Sequence, residues 1–381
     1  MANEKFQAAM STIAGSAFPN FLRTIKHSKI DPEFRKRLWL SGATSLFAEP
    51  FRWVEGLRYG IQIRRTKLPE NPVFILGHWR SGTTYLHNLM SQDPEMAYVT
   101  TYQGIFPNQL LSAKWFFKTL MRANMPKKRA ADNVELSPDF PQEEEFALGN
   151  MNPYSFYNFW FFPKRTIEYL DKYILLEGLQ GEAREKWKKD YQWLMKKSIL
   201  NLDRPNFVSK NPPHTGRIPI LLEMFPNARF VHIYRNPITV FLSTFNFFSK
   251  TIEPLRFQRF THRELKDNIL KVYVAMMQKY EQDKLLIPKG NLVEVRYEDF
   301  EQDPMPQMEA IYQQLQLGDF ESKRTSFQAY VDKQESFQVN KHRVEAEDLE
   351  RILEHWQPFM DLWGYQVPEN LTIIGQQVPQ A

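Results

Sequence analysis

The chain has 381 residues, of which 43% are hydrophobic and 24% charged, and this composition is typical of a globular protein with a sizeable core. It contains no cysteine, which excludes disulfides, thiol catalysis and cysteine-ligated metal sites and fits a reducing compartment. The formal net charge of +5 favours anionic ligands but is too small, over this length, to indicate nucleic-acid binding.

The first 70 residues are predicted to form a basic, helical extension that packs on the core. Residues 34–39 (FRKRLW) and 58–67 mix positive charge with aromatic side chains. This pattern is typical of a solvated helical face, and the alternative is a helix lying on an anionic membrane. The sequence shows neither a signal-peptide pattern nor a window of about 18 apolar residues. We therefore expect a cytoplasmic protein, with peripheral membrane contact left open.

Residues 71–381 are predicted to form one α/β domain. Residues 73–76 are a short apolar run typical of a buried strand, and a loop and a helical spacing follow as far as Asp93. Further strands are predicted at 206–209, 229–234 and 291–296, helices at 217–225, from Pro237 and at 343–363, and surface helices within 164–200. This alternation predicts a P-loop-like, three-layer α/β fold with a central parallel sheet between helices.

The segment 77–84 (GHWRSGTT), between the first strand and its helix, carries the strongest signal. Gly77 and Gly82 have the spacing of a Walker A motif, but Thr83 stands where that motif requires lysine. Backbone N–H groups at the helix start form an anion cradle, to which Arg80 adds a charge-assisted contact. The segment therefore predicts phosphate binding. The missing lysine argues against ATP or GTP hydrolysis, and no metal-ligand spacing occurs, so no metal site is predicted.

A second anion site is predicted where the strand 229–234 ends. Arg235 follows that strand, and Ser243 lies about two helical turns later. Ligands of open α/β sheets bind at the carboxyl ends of the strands. The alternative is an arginine that caps the sheet edge and a serine on a polar helix face. Two anion sites in one sheet indicate a nucleotide with phosphates at two places.

Four segments resemble motifs of the PAPS-dependent sulfotransferases, in particular the bacterial-type and tyrosylprotein-like members (PAPS is 3′-phosphoadenylyl sulfate). In chain order they are PVFILGHWRSGTTYLHNLMSQDP, VSKNPPH, FPNARFVHIYRNPITVFLS and VRYEDF. The resemblance spans about residues 70–365. It implies a family that transfers sulfate from PAPS without a metal.

The resemblance also implies roles for individual residues. The 5′-phosphosulfate would be bound by Arg80, Ser81, Gly82, Thr83 and Thr84. The 3′-phosphate would be bound by Arg235 and Ser243, and Lys341, in a late basic loop, would close over the nucleotide. The family's tyrosylprotein enzymes carry a glutamate soon after the loop helix. Residues 100–103 (TTYQ) hold no carboxylate, which argues against tyrosine sulfation.

Transfer to an alcohol needs a base on the acceptor hydroxyl and positive charge on the leaving oxygen. Lys210, after the strand 206–209, is the predicted partner of the leaving oxygen, and Arg80 shares that role. Two candidates for the base stay open. One is His214, and the other is a carboxylate of the run EEE at 143–145, within which Glu145 is favoured.

The acceptor is predicted to be a lipid, a sterol or another hydrophobic alcohol. This prediction depends on the aromatic segment 154–162 (YSFYNFWFF), interpreted as part of a pocket wall or of the core, and on the basic, aromatic N-terminal region. A carbohydrate acceptor is the first alternative. An ATP-dependent kinase and a non-catalytic nucleotide- or polyanion-binding module are further alternatives.

Overall fold

A computed structural model describes residues 12–26, 28–126, 135–334 and 343–375. Its α-helices in chain order are α1 (Phe18–Ile25), α2 (Arg35–Arg65), α3 (Thr83–Met90), α4 (Thr101–Ile105), α5 (Lys114–Asn124), α6 (Glu144–Met151), α7 (Thr166–Tyr169), α8 (Gly181–Leu202), α9 (Ile218–Met224), α10 (Pro237–Leu255), α11 (His262–Asp283), α12 (Tyr297–Gln302), α13 (Pro304–Gln314), α14 (Glu321–Gln334) and α15 (Ala346–Leu362). The strands are β1 (Val73–Leu76), β2 (Met96–Ala97), β3 (Asn206–Lys210), β4 (Arg229–Tyr234), β5 (Leu292–Arg296), β6 (Arg343–Glu345) and β7 (Thr372–Ile374). Short 3₁₀ segments are Thr12–Gly15, Pro32–Phe34, Pro107–Gln109, Phe156–Trp160, Pro163–Arg165, Pro212–Gly216 and Lys284–Leu286, and a π turn spans Leu170–Ile174.

The predicted fold class is confirmed. Five strands form a parallel sheet in the order β2-β3-β1-β4-β5, with β1 at its centre. All four residues of β1 are buried, as expected for a strand that is covered on both faces. Because the strands run parallel, the carboxyl ends of β1, β3 and β4 lie at the same edge of the sheet.

Helices cover both faces of this sheet. On one face, Phe74 and Leu76 of β1 pack with buried side chains of α8 and α9. On the other face, Val73 and Ile75 pack with α3, α13 and α14. The alternation of side chains along β1 thus divides the core into two layers.

Most predicted elements lie within a residue or two of their predicted bounds, and four features differ. The helix predicted at 343–363 begins at Ala346, because residues 343–345 form β6. The region 164–200, predicted as surface helices, contains α8, whose Trp187 and Leu194 are fully buried. The two-residue strand β2 and the separate β6-β7 sheet were not predicted from the sequence, since they are too short to leave a pattern.

The N-terminal helices are tied to the rest of the chain by buried polar contacts. Glu49 of α2 accepts from the backbone N–H of Phe18 at 2.6 Å, and Glu55 pairs with the buried Lys197 of α8. Gln109 donates to the carbonyl of Ala48 at 3.2 Å. Within the described ranges, no helix has the length and apolar character needed to cross a membrane.

Candidate active site

The structure brings the loop after β1, Lys210 at the end of β3 and Arg235 after β4 to one edge of the sheet. The loop and Lys210 are more than 100 residues apart in sequence, and Arg235 follows Lys210 by 25 residues. Parallel pairing of β3, β1 and β4 is what places them side by side. The edge is the ligand-binding position of open α/β sheets.

The loop between β1 and α3 is held in a tight turn. Ser81 donates from its hydroxyl to the carbonyl of His78 at 2.7 Å, and Arg80 adopts a left-handed backbone with φ of 69°. Gly82 has φ of 98°, and a Cβ at this position would lie 2.1 Å from the ring of Tyr297. Glycine is therefore required there, both for its conformation and for the close approach of Tyr297.

Thr83 and Thr84 form the first turn of α3, which leaves their N–H groups without intrahelical acceptors. Positive charge also converges here, since the helix N-terminus, Arg80 and Lys210 lie at the same edge. This donor set suits an anion with several oxygens.

The two predicted anion sites are in direct contact. Arg80 donates from Nε to the hydroxyl of Ser243 at 2.9 Å, and its guanidinium lies 5.3 Å from the ring centroid of Phe247 on the same helix, α10. Asn236 caps that helix, since its side chain accepts from the N–H groups of Ile238 and Thr239. The helix is thus anchored directly after Arg235.

Tyr297 connects the loop to Arg235. Its ring packs against Gly82 on one side, and the Arg235 guanidinium lies 4.1 Å from the ring centroid. Its hydroxyl donates to Glu301 at 2.6 Å. Tyr297 therefore contacts both predicted phosphate-binding segments. These contacts give the VRYEDF segment a structural role at the site.

Lys210 lies between the loop and the acidic run. Its ammonium donates to Glu143 at 2.7 Å and to the hydroxyl of Thr84 at 3.4 Å. Glu143 also accepts a short hydrogen bond from the hydroxyl of Tyr157, which in turn accepts from the indole N–H of Trp79 at 2.7 Å. One hydrogen-bonded chain therefore runs from the loop between β1 and α3 through Lys210 and Glu143 to the aromatic segment.

Glu143 is the carboxylate of the acidic run that lies nearest to solvent. It occupies the extended residue before α6, and its side chain is 15% exposed, whereas Glu144 and Glu145 lie in the first turn of α6 and are fully buried. Its surroundings are aromatic, because the ring of Tyr157 packs edge-on against Phe146 at 4.7 Å.

Glu144 points into the core beneath Lys210. It accepts from the hydroxyl of Ser209 at 2.6 Å and from the N–H of Lys210 at 3.2 Å. Burial raises the pKa of Glu144 to about 8, although these two hydrogen bonds act in the opposite direction. Glu144 is therefore a largely neutral acid at pH 7.

Glu144→Gln is expected to flatten the pH dependence of stability between about pH 4.5 and 8. In this window the folded protein keeps a proton on Glu144 that the unfolded chain, with a pKa near 4.5, has lost. Stability due to this residue therefore falls as pH rises, by on the order of a few kcal/mol in total. Urea unfolding of both proteins at several pH values measures the slope. If the free energy of unfolding had the same pH dependence in both proteins, Glu144 would not carry the proposed proton in the folded state.

Glu145, the favoured base, lies inside the core instead. Its carboxylate accepts from both terminal nitrogens of Arg217, at 2.7 and 2.9 Å, and both side chains are fully buried. It also accepts from Ser155, Asn211 and the N–H of Phe156. Burial alone would raise the pKa of Glu145, but Arg217 and these donors hold it below its usual value. This geometry is that of a structural ion pair.

His214, the other candidate base, is also buried. Its ring packs edge-on against Tyr191, at 5.2 Å, and against Phe74 and Trp187. Burial and then the charge of Arg217 lower its pKa well below the usual range, so the imidazole is neutral. It has no exposed surface from which to meet an acceptor. Lys341 lies outside the described residues.

Three residues of this site had no individual role in the sequence-based interpretation, namely Tyr157, Tyr297 and Arg217, and within the acidic run Glu145 was favoured over Glu143. The acidic run was identified, but three consecutive glutamates give no pattern that separates them. Pro141 gives no such signal either, because proline favours the first helical position, which would place Glu143 within the first turn, whereas α6 begins at Glu144. The pairing of Arg217 with Glu145 joins residues 72 apart and had no sequence signal.

Comparisons with known proteins identify the family and the fold. Residues 72–322 match the Sulfotransferase family. The omega-hydroxy-beta-dihydromenaquinone-9 sulfotransferases Stf3 of Mycobacterium bovis and Mycobacterium tuberculosis are each 33% identical over 307 residues, covering 81% of this chain and 78% of theirs. Among solved structures, sulfotransferase STF9 from Mycobacterium avium is similar with a TM-score of 0.69 at 15% identity, covering 91% of this chain and 90% of that chain. Sulfotransferase STF1 from Mycobacterium tuberculosis H37Rv has a TM-score of 0.63 at 15% identity, covering 94% and 93%.

Proposed function

This chain belongs to the sulfotransferase family, and from that premise we propose that it transfers the sulfuryl group of PAPS to the hydroxyl of a hydrophobic lipid alcohol. The observation that carries the proposal is the contact of Lys210 with both Glu143 and Thr84. It puts a candidate base, a candidate partner for the leaving oxygen and the donor loop within one hydrogen-bonded group. The cysteine-free sequence supports a cytoplasmic location.

The donor would be held by the residues that converge at the sheet edge. Arg80, the N-terminal turn of α3 and the hydroxyls of Thr83 and Thr84 suit the 5′-phosphosulfate, with Gly82 and the turn fixed by Ser81 giving the loop its shape. Arg235, stacked on Tyr297, and Ser243 suit the 3′-phosphate. When bound, PAPS supplies the sulfuryl group and leaves as adenosine 3′,5′-bisphosphate.

The chain's own residues provide the acid–base chemistry and the charge. Glu143, which replaces Glu145 in this proposal, accepts the proton of the acceptor hydroxyl through its carboxylate. Lys210 neutralises the charge that develops on the leaving oxygen, and Arg80 assists it. Tyr157 and Trp79 hold Glu143 in place through their hydrogen-bonded chain. In this arrangement Lys210 moves from Glu143 toward the leaving oxygen, which releases the carboxylate to act as base.

The aromatic segment beside Glu143 forms part of the core, because Trp79, Phe156 and Tyr157 are each 2% exposed or less. Support for an apolar acceptor therefore comes from the relatives. The curated relatives are named for a hydroxylated dihydromenaquinone, which is a long isoprenoid lipid with a terminal alcohol. A hydroxylated isoprenoid is accordingly the acceptor class that we propose.

The test is transfer of radiolabelled sulfate from PAPS to three acceptors: a hydroxylated isoprenoid quinone, a sterol and an oligosaccharide. We expect labelled product with the isoprenoid alcohol and little with the oligosaccharide. Labelled oligosaccharide alone would contradict the acceptor and leave the donor assignment in place. Absence of label in every reaction, together with absence of bisphosphate binding, would contradict the function itself.

A further inference from the structure

Exposed large apolar side chains are concentrated on one long helix. Ten of the seventeen such side chains among the described residues lie on α2 or on the adjacent α5. They are Trp39, Leu40, Leu46, Phe47, Trp53, Val54, Leu57 and Ile61 of α2 and Trp115 and Phe116 of α5, here called the apolar face. Soluble proteins scatter such residues singly, and a contiguous group of them marks an interaction surface.

These residues share one side of α2. Trp39, Leu46 and Trp53 recur every seven residues, and Leu57 follows one turn later, which is the spacing of a single stripe along a helix. Trp39 is 77% exposed and Leu57 is 86% exposed. At a rise of about 1.5 Å per residue, the 31-residue helix presents a stripe some tens of ångströms long.

Helix α5 widens the apolar face. The ring of its Phe116 stacks on Phe51 of α2 with centroids 6.1 Å apart and lies 6.5 Å from Phe47. Its neighbour Trp115 is 81% exposed. The two helices therefore present their aromatic side chains as one surface and not as two separate patches.

The charge on this side of α2 is entirely positive. The only acidic residues of α2 are Glu49 and Glu55, and both are buried. Glu49 is engaged by Arg52 and the N–H of Phe18, and Glu55 by Lys197 and the N–H of Leu111. No exposed carboxylate of α2 therefore opposes a negatively charged partner.

Exposed cations lie at both ends of the stripe and on its flank. They are Arg35 and Lys36 in the first turn, Arg58, and Arg64 and Arg65 in the last turn. Within the described residues none of these five forms an ion pair with a carboxylate. On α5, by contrast, Lys118 and Arg122 share the single carboxylate of Asp139.

We propose that the apolar face is a docking surface for a phospholipid bilayer with anionic headgroups, on which α2 lies parallel to the membrane plane. Trp and Leu side chains would enter the boundary between headgroups and acyl chains, and the terminal arginines and lysine would extend to phosphates. Tryptophan suits this boundary because its apolar ring carries a polar N–H. A folded protein partner would need a long apolar groove with carboxylates at both of its ends. An anionic bilayer offers apolar acyl chains and negatively charged headgroups at every point of its surface.

This inference does not depend on the donor or the acceptor proposed above. Helix α2 contacts the segment 107–112 through Gln109 and Glu55. Asn108 of that segment donates to the carbonyl of Asn150 in α6, the helix that begins after Glu143. Docking by α2 would therefore hold the enzyme beside its lipid acceptor, but vesicle binding can be measured without either substrate.

The experiment is sedimentation of the full chain with vesicles of phosphatidylcholine alone or of phosphatidylcholine with phosphatidylglycerol. We expect binding to the anionic vesicles that weakens with salt, and weak binding to the neutral ones. The double variant Trp53→Ser/Leu57→Ser is expected to reduce the partition coefficient by roughly tenfold or more, the order expected for removing large side chains from apolar burial. Arg64→Glu/Arg65→Glu is expected to abolish the preference for anionic vesicles.

Leu285→Ser is the matched control, because Leu285 is 81% exposed and lies outside the apolar face. It should bind vesicles like the unaltered protein. Equal binding by all variants, or no binding by the unaltered protein, would overturn the proposal. So would a concentration-dependent dimer that the double variant loses, since the face would then cover a second copy. Binding of adenosine 3′,5′-bisphosphate, measured in the same variants, should be unchanged. If the unaltered protein does not bind the bisphosphate, that result counts against the proposed function and not against membrane docking.

Discussion

Glu143→Gln is expected to lower kcat by roughly 10²–10⁴-fold, the usual contribution of a general base. The amide keeps the size of the side chain, but its single oxygen can accept from only one of Lys210 and Tyr157, and it cannot take the acceptor's proton. Binding of the donor should change little, because Glu143 reaches the 77–84 loop only indirectly, through Lys210 and through Tyr157 to Trp79. Steady-state kinetics at pH 7 with the sulfated product as readout measures this effect.

Glu144→Gln is the matched control, since it makes the same chemical change at the next residue. Glu144 is buried and largely neutral at pH 7, so its amide analogue should retain most of the activity. If Glu143→Gln kept its activity within about threefold of the unaltered enzyme, the base would have to be another group. Equal losses in both variants would indicate damage to the helix start and not to a base.

Glu145→Gln is expected to destabilise the fold by about 3–5 kcal/mol. The substitution removes the negative charge that faces Arg217, a guanidinium with no exposed surface, and leaves the cation buried without a counter-ion. Because Arg217 lowers the pKa of Glu145, the stability that depends on this carboxylate is present above the unfolded pKa of 4.5 and is lost as pH falls through the folded value. Denaturant unfolding near pH 7 measures the loss.

Glu223→Gln provides the comparison. Glu223 also pairs with an arginine, Arg184, but its side chain is 44% exposed, so the change should cost about 1 kcal/mol or less. A Glu145→Gln protein as stable as Glu223→Gln would contradict the structural role of the pair. Retained transfer by the folded fraction of Glu145→Gln would agree with it.

Much of the fold followed from local patterns. The parallel sheet was predictable because its strands are short apolar runs bounded by prolines, glycines and polar residues, as in residues 73–76 and 229–234. Pro237 correctly indicated a helix start, with Asn236 as its cap. The order of the strands and the small β6-β7 sheet depend on pairing between distant residues, for which one sequence carries no pattern.

The two predicted anion-binding segments had clear sequence signals, and the candidate base did not. The predicted phosphate sites depend on a contiguous loop and on fixed offsets such as Arg235 to Ser243, and the structure brings these segments into contact. Which glutamate of the acidic run is a candidate base depends on the directions of three adjacent side chains. Those directions are decided by the start of α6 and by Arg217, which lies 72 residues after Glu145. Tertiary contacts of this kind leave no local signal.

The family membership decides between the alternatives that the sequence left open. A kinase and a non-catalytic binding module both fit a phosphate loop, but the chain is a sulfotransferase by its match over residues 72–322. Thr83, in place of the Walker lysine, fits this assignment. The lipid acceptor and the carbohydrate acceptor are then separated by the labelled-transfer assay.

The most direct test of the account is thermal stabilisation by adenosine 3′,5′-bisphosphate compared with 5′-AMP and with ATP–Mg, for the unaltered protein and for Arg235→Ala. A ligand that binds only the folded state stabilises it by about 2.7 kcal/mol at a hundredfold excess over Kd. We predict a shift with the bisphosphate that Arg235→Ala loses and that 5′-AMP does not produce. A shift with ATP–Mg alone, or an equal bisphosphate shift in Arg235→Ala, would contradict the assignment of this edge of the sheet as a PAPS site.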